Sequence, residues 1–150
     1  MRIHLATDHA GFQHKEAVKE YLLGQGLEVI DHGAVVFDGR DDYPDFIAPA
    51  AQAVGLSGGP ELNTDVGIIF GASGQGEAMV ANRVPGVRCA VFYGGPTDIL
   101  TLSRAHNNAN MLSIGAMFVT PEEAINAIGI WSEIPFSNDE RDIRRLSKFK

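Results

Sequence analysis

The 150-residue sequence predicts an α/β fold, a doubly wound open sheet of five parallel strands, and three observations carry that prediction. Apolar runs of strand length alternate with stretches of helical period. Glycine, proline and capping residues punctuate the changes between them. Polar, glycine-rich segments gather where the strand candidates end, which is where open α/β sheets bind ligands. The strand candidates are Arg2–Thr7, Leu27–Asp31, Val66–Phe70, Val87–Phe92 and Asn110–Gly115. Between the first two, Ala17, Val18, Tyr21 and Leu22 share a helical face, and Gly24 and Gly26 end that helix. Asp41-Asp-Tyr-Pro-Asp45 breaks the chain before a second helix over 45–55, and 56–64 reads as a Gly/Pro-rich connection. Further helices are expected over 76–83 and 97–105. Thr120-Pro-Glu-Glu123 is a capping box, followed by an apolar stripe of Ala124, Ile128 and Trp131. Ser137-Asn-Asp-Glu140 reads as a second capping box, opening a terminal helix over about 138–148 that carries Arg141, Arg144 and Arg145.

Length and composition predict one domain over 1–150 with a core of its own. Hydrophobic residues make up 45% and charged residues 21%, away from the profile of a disordered chain. The formal net charge of -7 argues against nucleic acid as a partner, because phosphate backbones require a positive surface. An anionic ligand must be gripped locally. No apolar run reaches the roughly 18 residues of a membrane span, and no secretory h-region opens the sequence, so a cytoplasmic location is expected. The single cysteine, Cys89, sits in an apolar run and reads as a buried strand thiol. No His or Cys spacing marks a metal site.

Three segments concentrate polar chemistry: Thr7-Asp-His-Ala-Gly11, Gly71-Ala-Ser-Gly-Gln-Gly-Glu77 and Arg104-Ala-His-Asn-Asn-Ala-Asn110. In the second, three glycines permit a tight turn, and the following helix aims free N–H groups at whatever binds. It lacks the Lys-Ser/Thr of a Walker loop and the full dinucleotide fingerprint. Glu77 has two readings: a first-turn acid complementing the helix dipole, or a base beside N–H donors that stabilise a developing oxyanion. His4, His14 and His32 read as structural, with nothing convergent around them. His9 reads equally as a ligand contact or a satisfied loop residue, and His106 as a donor to ligand oxygen. Arg141, Arg144 and Arg145 share a face, either solvated against Asp139, Glu140 and Asp142 or forming a phosphate clamp.

Asp8-His-Ala-Gly11, Asp42-Tyr-Pro44, Gly71 to Glu77, Ala81-Asn-Arg-Val-Pro-Gly-Val-Arg88 and His106-Asn107, in that order, resemble the family of ribose-5-phosphate isomerase B and the galactose-6-phosphate isomerase subunits. The resemblance covers nearly the whole chain. It implies a flavodoxin-like, Rossmann-like three-layer αβα domain, an aldose–ketose isomerase of a small sugar phosphate, no cofactor, and a homodimer or dimer of dimers whose sites draw on both chains. Many relatives use a cysteine as base where this chain has Gly71. Here the resemblance implies Glu77 as the base acting through a cis-enediolate, with the loop N–H groups around Ala72, Gly74 and Gly76 and the Ser73 hydroxyl holding the enediolate oxygen, and Gly71 among the substrate contacts. It implies ring opening by His106 and Asp8, hydroxyl contacts from Asn107 and Tyr43, and a phosphate grip from His9, Arg141 and Arg145, the arginines reaching from the partner subunit. Two positions depart from the pattern. Met117 stands where many relatives place a phosphate-binding arginine, and Asp142 follows Arg141 where a histidine is frequent. Ribose 5-phosphate is the expected substrate. A tetrulose phosphate, galactose or allose 6-phosphate and a free sugar are alternatives, as are a catalytically silent subunit and a non-catalytic flavin or nucleotide domain.

Overall fold

The computed structural model describes residues 2–57 and 65–149, so the Gly/Pro-rich connection expected over 56–64 lies outside the described residues beyond Ser57. Five strands, β1 (Ile3–Thr7), β2 (Val29–Asp31), β3 (Val66–Gly71), β4 (Cys89–Phe92) and β5 (Met111–Gly115), form one sheet in the order β2-β1-β3-β5-β4. Every pairing is parallel, as the alternation of strands and helices required. The chain reverses direction across the sheet between β1 and β3, the switch point of flavodoxin-like sheets, while the two outermost strands beyond β3 are exchanged relative to flavodoxin itself. β5 is thereby internal and β4 becomes an edge. β1, β3 and β5 are buried along their whole lengths, so their residues do not alternate apolar with exposed polar, whereas β2 and most of β4 are half-buried.

The helices are α1 (Phe12–Gly24), α2 (Pro44–Leu56), α3 (Gln75–Ala81), α4 (Asp98–Ala105), α5 (Pro121–Glu133) and α6 (Glu140–Leu146). One face of the sheet packs Leu5, Ile68, Phe70 and Ile114 against Val18, Leu22, Leu100 and the stripe Ala124, Ile128 and Trp131. The other packs Ala6, Ile69 and Met111 against Ile47, Ala50, Ala51, Val54 and Ala81. Three layers result. The Thr120 capping box is present in full, its hydroxyl accepting from Glu123 N at 3.2 Å and the Glu123 carboxylate from Thr120 N at 2.7 Å.

Four expectations are corrected. Tyr21 faces solvent, and the buried stripe of α1 is Lys15, Val18 and Leu22. Lys15 earns its place by ion-pairing its Nζ to Asp31 Oδ2 at 2.6 Å, which fastens α1 to β2. The Ser137 capping box does not form: the helix starts at Glu140 with Asp139 as its N-cap, so Ser137 lies outside it, where its hydroxyl donates to Asp142 Oδ2 at 3.2 Å and accepts from Asp139 N at 3.2 Å. His4 and His32 do converge: His4 Nδ1 lies 2.8 Å from His32 Nε2 and its Nε2 lies 3.4 Å from Asp65. Burial tends to push the Asp65 carboxyl up, but Arg2 outweighs it and holds the group at about 2, so this cluster is architecture at the amino-terminal edge of the sheet. Finally, the segment 104–110 precedes β5 and therefore sits at the amino-terminal edge of the sheet, opposite the loops that follow β1 and β3.

Candidate active site

The first half of the site is built where β1 and β3 end. Gly11 lets the turn after β1 lie directly against Phe70 and Thr7, since a side chain there would collide with both. Asp8 is buried and accepts from Ala10 N at 2.9 Å, which fixes the turn. The following residue, His9, donates its backbone N–H to Asp41 Oδ1 at 3.0 Å and places its Nδ1 2.6 Å from the same oxygen. Asp41 is a residue that sequence reasoning missed. Its only signal was a place in the acidic run before α2. The Asp41 hydrogen bond raises the His9 value above the ordinary histidine range, with the charges of Asp8 and Asp38 adding to it. Asp8, His9 and Asp41 bring potential metal-ligating atoms within 4.8 Å of one another, but the 2.6 Å contact between His9 and Asp41 is a hydrogen bond, so the group is organised around a proton.

The glycines of the second loop each have a spatial reason. A Cβ added at Gly71 would fall on the carboxylate of Glu77, so the two positions compete for one space. A Cβ at Gly76 would stand 2.9 Å from the Tyr43 Cζ and hydroxyl, so that glycine admits Tyr43 against the loop. Gly74 adopts φ 76°, and its carbonyl accepts from Ser113 Oγ at 2.6 Å, which ties the bend to β5. Ser73, half-buried, accepts from Gln75 N at 3.4 Å. Ala72 accepts from Met117 N at 3.0 Å. Glu77 is only 4% exposed. Burial raises its carboxyl above the ordinary range and the charge of Asp8 adds to this, against a lowering by its own backbone N–H. No cation ion-pairs with it among the described residues. Such a carboxylate is a stronger base than an ordinary glutamate.

The second half lies at the other end of the sheet. His106 caps the carboxyl end of α4 and places Nδ1 2.7 Å from Asp142 Oδ2. Asp142 is fully buried, whereas the His106 side chain is 39% exposed, so one ring nitrogen is held and the other edge is open. Of the acids the sequence offered to the arginines, Asp142 takes both, Arg141 at 3.2 Å and Arg145 at 3.5 Å, and Asp139 and Glu140 take neither. His106 above all, then Arg141 and Ser137, hold the Asp142 carboxyl below its ordinary range against the opposing effect of burial. Asn107 is exposed and lines a groove of about 1030 Å3 together with Arg88, Asn108, Phe136, Ile143 and Phe149. Met117 lies back at the carboxyl edge after β5, 76% exposed.

Within one chain, therefore, Asp8, His9, Tyr43, Gly71–Gly76 and Glu77 come together, and His106, Asn107, Arg141 and Arg145 come together elsewhere. The length of β5, about 13 Å at a strand's usual rise, separates the ends to which the two groups attach. Cys89 belongs to neither. It is a strand thiol that burial pushes up to about 12, which removes it as a nucleophile at neutral pH.

The family model for Ribose/Galactose Isomerase matches residues 3–149. The chain belongs to that family. A ribose-5-phosphate isomerase B of Mycobacterium tuberculosis is 40% identical over 147 residues, covering 97% of this chain and 86% of its own length. The crystal structure of ribose-5-phosphate isomerase B from Mycoplasma genitalium with bound ribulose-5-phosphate superposes with a TM-score of 0.88 at 34% identity, covering 98% of this chain and 92% of that one. The Thermotoga maritima ribose 5-phosphate isomerase superposes at 0.86 with 36% identity, covering 99% and 96%. Membership of the ribose/galactose isomerase family agrees with the enzyme class read from the sequence, an aldose–ketose isomerase, and with its flavodoxin-like fold. No helix among the described residues is long and apolar enough to cross a membrane.

Proposed function

We propose that this protein interconverts ribose 5-phosphate and ribulose 5-phosphate with Glu77 as the base. The observation that carries the reading is the buried Glu77 carboxylate, which fills the space above Gly71, is raised by burial and ion-pairs with no cation among the described residues. In the open-chain aldose, Glu77 takes the proton from C2, and the electrons of that bond form the C1–C2 double bond as charge moves to the carbonyl oxygen. The Ser73 hydroxyl and the N–H groups of the bend at Ala72, Gly74 and Gly76 hold that oxygen. Glu77 returns the proton to C1, while the O2 hydroxyl proton passes to O1, leaving the ketose. Tyr43, packed against Gly76, contacts the sugar hydroxyls, and His9, whose protonated form Asp41 favours, contacts phosphate.

The remaining roles require a second chain. In a homodimer, the His106 group of one chain faces the Glu77 group of its partner, so that His106 and Asp8 open the sugar ring, Asn107 binds a hydroxyl, and Arg141 and Arg145 close on phosphate. The placement of the two groups at opposite ends of one sheet supports this reading. The test is an assay of the purified protein for aldose–ketose exchange on a panel comprising ribose 5-phosphate, a tetrulose phosphate, galactose 6-phosphate, allose 6-phosphate and free ribose. Turnover with the highest kcat/KM on ribose 5-phosphate is expected. A higher value on another sugar would reassign the substrate, and no turnover on any of them would reject the reading.

A further inference from the structure

We infer that Asp142 is a positioning residue: it fixes the His106 ring in one tautomer and aims its free nitrogen outward, while the same carboxylate tethers Arg141 and Arg145 beside it. This rests on the proposed isomerase reading but concerns a residue to which that reading gives no role. Asp142 occupies a short surface helix rich in charge, where an acidic side chain is ordinarily solvated. Instead it is fully buried, and both of its oxygens are used. Oδ2 faces His106 Nδ1 at 2.7 Å and accepts from Ser137 Oγ at 3.2 Å. Oδ1 accepts from Arg141 Nε at 3.2 Å and lies 3.5 Å from Arg145 Nη1. The division of labour is the informative feature, since one oxygen serves the histidine and the other serves the arginines.

The chemistry follows from donor and acceptor rules. An ionised carboxylate can only accept, so Nδ1 must carry the hydrogen, and the lone pair of a neutral ring is placed on Nε2. That nitrogen takes no hydrogen bond among the described residues, and it belongs to a side chain that is 39% exposed. His106 is thereby prepared to take a proton at Nε2 and give it back, which ring opening of a cyclic sugar requires. A buried acid holding the far nitrogen of a catalytic histidine acts through orientation and tautomer, without exchanging the proton itself. The tether to the two arginines has a second effect. Their side chains remain 53% and 63% exposed, so they are held near His106 with donors still available to an incoming anion.

Asp142→Asn tests this, because the amide keeps the shape of the carboxylate. The arginines favour the amide oxygen on their side, which turns the NH2 group toward His106 Nδ1 and forces the hydrogen onto Nε2. Nitrogen-15 spectra of the neutral ring, assigned with His106→Asn, should show the Nδ1–H tautomer in the wild type and the Nε2–H tautomer in Asp142→Asn. On ribose 5-phosphate, kcat should fall roughly 10-fold to 100-fold with a smaller change in KM, and Asp142→Glu should recover part of it. A folded Asp142→Asn protein with an unchanged tautomer and unchanged kcat would overturn the inference. The spectra need no substrate, so a wild type inactive on every sugar would reject the proposed function while leaving the tautomer result to decide the role of Asp142.

Discussion

Two buried carboxylates divide the molecule. Glu77, at the carboxyl edge of the sheet, ion-pairs with no cation among the described residues, and burial together with Asp8 pushes it up. Asp142, at the end of the chain, is buried more completely, yet His106, Arg141 and Ser137 hold it below its ordinary range. Removal from water is common to both; what differs is the number of donors that replace the water. An undersupplied carboxylate becomes a base, and an oversupplied one becomes a fixed anion that organises its neighbours. On the proposed mechanism, the difference suits Glu77 to taking a proton from carbon and suits Asp142 to orienting the groups around it.

The largest way to break the comparison is Glu77→Gln. It should lower kcat on ribose 5-phosphate by about 10^4-fold with substrate affinity nearly unchanged, checked by initial rates and by calorimetric titration. Its stability should move the other way. Because folding raises the Glu77 value, the folded state binds that proton more tightly than the unfolded chain, so the wild type loses stability as pH rises through and above the ordinary glutamate range. A glutamine is exempt from that loss. At neutral pH the variant should melt at or above the wild-type temperature, and at pH 4 the gap should shrink.

Mixing sharpens the comparison further. Glu77→Gln and His106→Asn proteins, each inactive, should together recover about a quarter of wild-type activity after subunit exchange, because a twofold dimer formed from one of each contains one intact composite site. No recovery, with exchange verified by mass spectrometry, would place both groups in one chain's site. Next in size, Arg141→Ala should raise KM for phosphorylated sugars roughly 10-fold to 100-fold and leave free sugars unaffected. The smallest effect belongs to Asp41→Asn. His9 is raised by its bond to Asp41, so its positive charge persists above the ordinary histidine range. The variant should show a KM for ribose 5-phosphate that rises several-fold, and the rise with pH should begin at lower pH than in the wild type.

Much of this was legible before any coordinates. The strand candidates at 66–70 and 110–115 became the buried strands β3 and β5, since strands covered on both faces need no alternation. The capping box at Thr120 needs only local geometry, and it formed. The Ser137 box has the same spacing and did not form, because the helix begins two residues later, at Glu140, with Asp139 as its N-cap. The grouping of Glu77 with His106 was also expected from polarity around strand ends, yet one segment follows a strand and the other precedes one, which places them on opposite edges.

Properties that depend on neighbours a few residues apart were thus set by the sequence alone: the alternation of strand and helix, the glycine bend at 71–76, and the candidate base that follows it. Tertiary structure alone decided the pairings that assign roles. His106 meets Asp142 across 36 residues, and His9 meets Asp41 across 32. Local spacing cannot encode those contacts, because they depend on where two distant turns of the chain are brought by the packing of the sheet between them. Whether a carboxylate is left without donors or surrounded by them is settled at the same stage, since burial is a property of the assembled layers and no single segment possesses it.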